Sequence, residues 1–254
     1  MWNDLDTGRY EGMIAEIISL KGYKGDTIRA YYSRPLGTGD YPGILLIPHM
    51  PGWDEWCREA ARRFTQHNYA VIVPDIYCRY GTGNPVEVSK KMREAGIVPD
   101  ASVMGDCQAS IDFLRAQPKS NGKIGVIGMC SGGRHTFLAA CTLEGIDAAV
   151  DCWGGGVIMK KEDLTPSRPA SPIDFVDGLK CPLLGIFGNE DRSPTREEVD
   201  QTEEILKQKN KDYTFYRYDG AGHGFWYYHN QMYRQEQAMD SFEKVGEFFE
   251  KHLR

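Results

Sequence analysis

Short, uninterrupted apolar runs constrain the fold of this chain more than any other feature. Gly43–His49 (GILLIPH), Tyr69–Asp75 (YAVIVPD) and Lys123–Met129 (KIGVIGM) are each strand-length, with a polar residue only at one end. A strand with one wet face alternates apolar and polar residues, so unbroken runs imply strands covered on both faces. Ala148–Trp153, Pro182–Gly188 (PLLGIFG) and Tyr213–Tyr218 read as further strands. Helical spacing falls between them. Asp54–Asn68 sets Trp56, Ala60 and Phe64 one turn apart behind a capping Asp54. Asp100–Gln117 ends at Pro118, and Ser131–Leu143, the charged Thr195–Asn210 and the closing Met232–His252 complete the helices. Met13–Leu20 and Thr27–Ser33 flank the turn-rich Lys21–Asp26, which predicts an N-terminal β-hairpin. The alternation as a whole predicts an α/β fold, with a mostly parallel central sheet and helices on both faces. Gly154–Lys180, rich in Gly, Pro and Ser, reads as a long loop or small insertion. No repeat or linker divides the 254 residues, so one domain spanning 1–254 is expected.

Composition removes several function classes. A net charge of −6 offers no broad basic surface for nucleic acid. The seven cysteines, at 57, 78, 107, 130, 141, 152 and 181, are odd in number and include no C-x-x-C, against a disulfide framework, a zinc knuckle or a dithiol redox pair. The six histidines lack ligand spacing, so neither metal nor cofactor is expected. Met1–Tyr10 carries Asp4 and Asp6 and has no apolar core, unlike a signal peptide. The longest apolar runs are too short to span a bilayer. A cytoplasmic protein, monomeric or homodimeric, with neither nucleic acid nor membrane as partner, is the expectation.

The chemistry concentrates at Gly128-Met129-Cys130-Ser131-Gly132. This G-x-nucleophile-x-G pentapeptide follows a buried strand directly and opens a helix, the context of an α/β-hydrolase elbow. The helix N-terminus there favours developing negative charge. The N–H groups of Ser131 and of Met50, just past the strand ending at His49, are the candidate oxyanion donors. A lone cysteine between glycines can equally be a small buried residue. The hydrolase order of nucleophile, acid and His is nevertheless completed downstream. Asp191 follows the strand Pro182–Gly188, with Glu190 a rival acid, and His223 lies in the glycine-flanked loop after Tyr213–Tyr218. Taken singly, Asp191 could be a helix cap before Ser193-Pro194, and His223 a loop residue without a role.

These segments resemble the dienelactone hydrolase family, whose members are α/β-hydrolases with Cys in place of Ser. The similarity runs from about Ile14 to the C-terminal helix. It is carried by Ile47–Gly52, Val73–Arg79, the elbow Gly128–Gly133, Phe187–Asp191 and Gly222–Phe225. It implies a triad of Cys130, Asp191 and His223, and oxyanion donors at Met50 and Ser131. It also implies a small-molecule ester or lactone as substrate, cleaved through a thioester. Two departures point to a substrate other than dienelactone. His49 stands where the family has a Glu, so it either supports a thiolate, contacts substrate, or is structural. Arg79 matches an arginine that holds a substrate carboxylate, although a surface ion pair is the alternative. A second such arginine is replaced by Trp226-Tyr227-Tyr228. Trp226 and Tyr227, with Trp53, Trp56, Tyr77, Trp153 and Phe225, suggest a pocket for a flat acyl group, or ordinary packing under loops. The functional alternatives are a thioesterase or acyltransferase, and a non-catalytic small-molecule binder on a hydrolase fold.

Overall fold

The computed structural model describes residues 12–254. The reading of Met1–Tyr10 lies outside the described residues. Eight strands form one sheet: β1 (Met13–Lys21), β2 (Thr27–Pro35), β3 (Tyr41–Ile47), β4 (Ala70–Pro74), β5 (Ser120–Met129), β6 (Ala148–Cys152), β7 (Leu183–Gly188) and β8 (Tyr213–Tyr218). Their order across the sheet is β1-β2-β4-β3-β5-β6-β7-β8. The N-terminal hairpin β1–β2 is antiparallel, as is β2 to β4, and every pair from β4 to β8 is parallel.

The apolar runs do what their pattern requires. Ile44 and Leu46 of β3, Val71 and Val73 of β4, and Ile127 and Met129 of β5 point into one core. Their neighbours Leu45, Ile47, Ile72, Ile124 and Val126 point into another. Helices α1 (Glu55–Gln66) and α6 (Gln235–Leu253) cover the first face through Trp56, Phe64, Phe242 and Phe249. Helices α2 (Pro85–Glu94) and α3 (Asp100–Arg115) cover the second with Val88, Met92, Val103 and Ile111. Burying a side chain of this size removes it from water for about 1.5–3 kcal/mol, which locks each strand's register. A one-residue slip would exchange the two cores.

Helix α2 was not anticipated by the sequence reading. Asn84 caps it by accepting from the Val86 N–H at 2.9 Å, and Pro85 occupies its first turn. The remaining helices are α4 (Ser131–Thr142), which leaves the elbow, and α5 (Arg196–Gln208). Between β6 and β7 the chain makes only short 3-10 turns at Lys161–Asp163 and Pro172–Gly178 and a bridge from Thr165 to Arg168. It is nevertheless packed down, with Ile173, Val176 and Leu179 buried against Phe137, Ala140 and Cys141 of α4. No helix among the described residues is long and apolar enough to cross a membrane, and the seven cysteines are free thiols.

Candidate active site

After β3 the chain crosses to β4 on one side, and after β5 it crosses to β6 on the other. The carboxyl ends of β3 and β5 therefore diverge at a topological switch point, where open α/β sheets form clefts. Met50 follows the first of these ends and Cys130 the second.

Cys130 is the N-cap of α4, with φ 56° and ψ −122°. Backbone in such a region costs about 1–3 kcal/mol and persists only when the surroundings impose it. The impositions are visible. The Cys130 N–H donates to the Cys152 carbonyl at 3.0 Å, and its carbonyl accepts from the Arg134 N–H at 3.2 Å. Both flanking glycines are sterically required: a Cβ on Gly128 would lie 2.2 Å from the Gly132 carbonyl oxygen, and one on Gly132 2.2 Å from that of Ile47. The turn raises Cys130 to a partly exposed position at the head of α4. The N–H groups of Met50 and Ser131 have no backbone acceptor among the described residues.

The loops after β7 and β8 bring the other two residues together. His223 Nδ1 meets Asp191 Oδ2 at 2.9 Å. Asp191 is nearly closed off, with its side chain 2% exposed, whereas that of His223 is 32% exposed. The second carboxylate oxygen of Asp191 accepts the Ser193 N–H at 2.9 Å. Asp191 is not the helix cap it could have been: Thr195 caps α5, in a reciprocal box with Glu198. Glu190, the rival acid, is exposed. Burial disfavours a charged His223, but hydrogen bonds to Asp191 and to the Cys130 sulfur, and the negative charge of both, outweigh it and raise its pKa to about 10. The ring thus stands between carboxylate and sulfur.

The structure gives protein partners to the residues whose roles the sequence left open. Arg79 is engaged within the protein. Its guanidinium forks onto Asp106 at 2.7 and 3.0 Å, and its Nε donates to Asp26 at 2.8 Å, which ties the β1–β2 turn to α3. Trp226 is 6% exposed, stacks edge-on against Trp153 and Phe242, and donates its indole N–H to the Ser241 hydroxyl at 2.7 Å. It packs as a core residue. Tyr227 and His49 engage each other, with the Tyr227 hydroxyl 2.6 Å from His49 Nδ1 and His49 Nε2 2.9 Å from Asp54. Both nitrogens of this buried imidazole are taken. With Phe225 and Trp153 fully buried as well, the aromatic residues behave mainly as packing beneath the site. Among the described residues, His49, Asp54 and Cys57 place donor atoms within 4.8 Å of one another, close enough for a metal ion, though their hydrogen bonds to each other and to Gly52 already occupy them. Their spacing of five and three residues carried no recognisable ligand signature.

Comparison with known proteins is consistent with this geometry. The model of the dienelactone hydrolase family matches residues 28–253. A protein of Methylorubrum extorquens named "Putative carboxymethylenebutenolidase" is 29% identical over 244 residues, 95% of this chain and 82% of that one. A protein of the same name from a Synechocystis species is 27% identical, covering 89% of this chain and 93% of its own. The crystal structure of "Putative Dienelactone Hydrolase" from Klebsiella pneumoniae superposes with a TM-score of 0.85 at 27% identity, over 94% of this chain and 99% of that one.

Proposed function

Because this chain belongs to the dienelactone hydrolase family, we propose that it hydrolyses a carboxylic ester or lactone through a thioester formed on Cys130. The supporting observation is the strained, partly exposed Cys130 facing a His223 that Asp191 holds at 2.9 Å. The relatives' names point the same way, since a butenolide is an unsaturated lactone.

The reaction runs as follows. His223 accepts the thiol proton, and Cys130 attacks the carbonyl carbon as thiolate and forms the S–C bond. The carbonyl oxygen becomes an oxyanion, held by the N–H groups of Met50 and Ser131 at the head of α4. As the tetrahedral centre collapses, the C–O bond breaks and His223 gives its proton to the departing alkoxide. Loss of the thiolate removes one of the two charges that raise the His223 pKa, so the ring becomes a better base for the next step. It then takes a proton from water, which attacks the thioester. The free acid leaves, and thiolate and imidazolium are restored. Asp191 keeps Nδ1 protonated and Nε2 directed at the sulfur. A thiolate is also a good leaving group, which suits activated esters and strained lactones better than amides.

Cys130→Ala should abolish turnover of a chromogenic ester while melting temperature and circular dichroism stay native. Iodoacetamide should block the burst of alcohol release in the wild type. Undiminished turnover in the variant would remove the mechanism, and binding without turnover by the wild type would make the protein a binder.

A further inference from the structure

The chain leaves β6 through a turn that touches both halves of the proposed triad. In the β5–β6 register Asp151 stands opposite Gly128 of the elbow, and Cys152 opposite Met129. The Cys152 carbonyl accepts the Cys130 N–H at 3.0 Å, so the strained backbone of the nucleophile is held from β6. Trp153 follows with φ 43°, a left-handed conformation that a bulky residue adopts only when its surroundings impose it. Its ring is fully buried, and its N–H donates to the Ile186 carbonyl of β7 at 2.8 Å.

The imposition comes from Asp151. Its carboxylate accepts the Gly154 N–H at 2.8 Å, closing a local side-chain turn over Cys152 and Trp153. Asp151 is 2% exposed, and burial raises its pKa to about 7. It has no ion pair among the described residues, since the guanidinium of Arg134, on the adjoining turn of α4, is forked onto Asp100. A desolvated carboxyl without a counter-ion costs the fold stability, and groups of this kind concentrate at working sites.

Close packing shows what the turn supports. A Cβ on Gly133, in the first turn of α4, would lie 2.3 Å from the Asp151 carboxylate, and one on Gly154 would lie 2.4 Å from the Arg134 backbone nitrogen. The turn and the head of α4 are thus in direct backbone contact. On the other side, a Cβ on Gly155 would lie 2.4 Å from Ser193 Oγ. The Ser193 N–H in turn donates to Asp191 at 2.9 Å. One turn therefore braces the nucleophile through Cys152 and the triad acid through Ser193.

We infer that Asp151 is a positioning residue: by locking the turn after β6, it sets where the Cys130 sulfur stands relative to His223 and Asp191. The inference rests on the Cys130 reading for the reaction it serves. Asp151 acts through the Cys152 carbonyl and Ser193, and the lock needs an acceptor oxygen, not a negative charge. Asparagine should therefore serve in its place.

The test compares wild type, Asp151→Asn and Asp151→Ala. Each is assayed with a chromogenic ester and, separately, for the rate at which iodoacetamide alkylates Cys130, read by peptide mass spectrometry. Asp151→Ala should lose about 10- to 100-fold in kcat with KM little changed, the mark of a displaced reacting atom. Cys130 alkylation should slow with it as the sulfur leaves His223. Asp151→Asn should restore most of both, whereas a merely structural carboxyl would change stability and leave the kinetics of folded protein alone. Native kinetics in folded Asp151→Ala, a loss confined to KM, or an Asn variant as impaired as the Ala variant overturns the inference. If Asp151→Ala fails to fold, the Asn kinetics and amide exchange in the wild type decide: the Gly154 N–H should be protected, and fast exchange overturns the lock. If the wild type hydrolyses no ester, the proposed function fails by itself. Slower Cys130 alkylation in Ala than in Asn then still supports the positioning role, and equal rates overturn it.

Discussion

Of the three histidine–aspartate pairs among the described residues, two are similar in length and opposite in character. His223 meets Asp191 at 2.9 Å, and His135 meets Asp100 at 3.2 Å. The first ring is open to the cleft, and hydrogen bonding to a carboxylate and a thiol overcomes burial to raise its pKa to about 10. The second, on α4 itself, is fully enclosed; burial dominates and Arg134 adds repulsion, so its pKa is lowered. An imidazole on a carboxylate is therefore not a catalytic base by itself. Access to the reacting atom and the charge on the far side of the ring decide what it does.

Breaking the first pair should give the largest effect. His223→Ala removes the proposed proton carrier and should lower kcat/KM for a chromogenic ester by about 10²- to 10⁴-fold; steady-state kinetics checks this. Breaking the second pair should reverse the pattern. Asp100→Ala strands the Arg134 guanidinium, whose side chain is 1% exposed, and should cost about 3–5 kcal/mol of stability by urea unfolding. A loss of activity without a loss of stability in that variant would erase the distinction between the pairs.

Smaller effects sharpen it. Arg79→Ala leaves the buried Asp106 with the Tyr23 N–H, at 2.9 Å, as its remaining tie to the β1–β2 turn. It should cost about 1–3 kcal/mol while ester kinetics in the surviving folded protein remain unchanged. A rise in KM confined to carboxylated esters would restore Arg79 to the site. The finest signal is in pH. His223 has a folded pKa of about 10 against 6.5 for a free ring, so its contribution is complete below pH 6.5 and fades as pH rises towards 10. His135 works in the opposite sense: the unfolded ring takes a proton below 6.5 that the folded ring refuses, so acid weakens the fold. His223→Gln should flatten the alkaline limb of a plot of melting temperature against pH and spare the acid limb.

The sheet was legible because its strands are buried on both faces, which writes continuous apolar runs into the chain. The elbow was legible for a related reason: the glycines at 128 and 132 answer contacts of 2.2 Å that no side chain could survive, and their spacing is local. Helix α2 was overlooked although Asn84-Pro85 announces its start and Val88 and Met92 mark its apolar stripe. For Arg79 and the aromatic residues two readings stayed open because their partners lie far along the chain. Asp106 is 27 residues from Arg79 and Tyr227 is 178 from His49, and no local pattern distinguishes a guanidinium spent on buried carboxylates from one waiting for a ligand.

The central claim concerns the sulfur of residue 130, and intact-protein mass spectrometry after rapid quenching of a slow-deacylating p-nitrophenyl ester tests it most directly. The account predicts one added acyl mass, mapped by peptide digestion to Cys130, labile to hydroxylamine and absent from Cys130→Ala. Acylation of Ser131 or of any other residue, or a full burst of nitrophenol from Cys130→Ala, would contradict it.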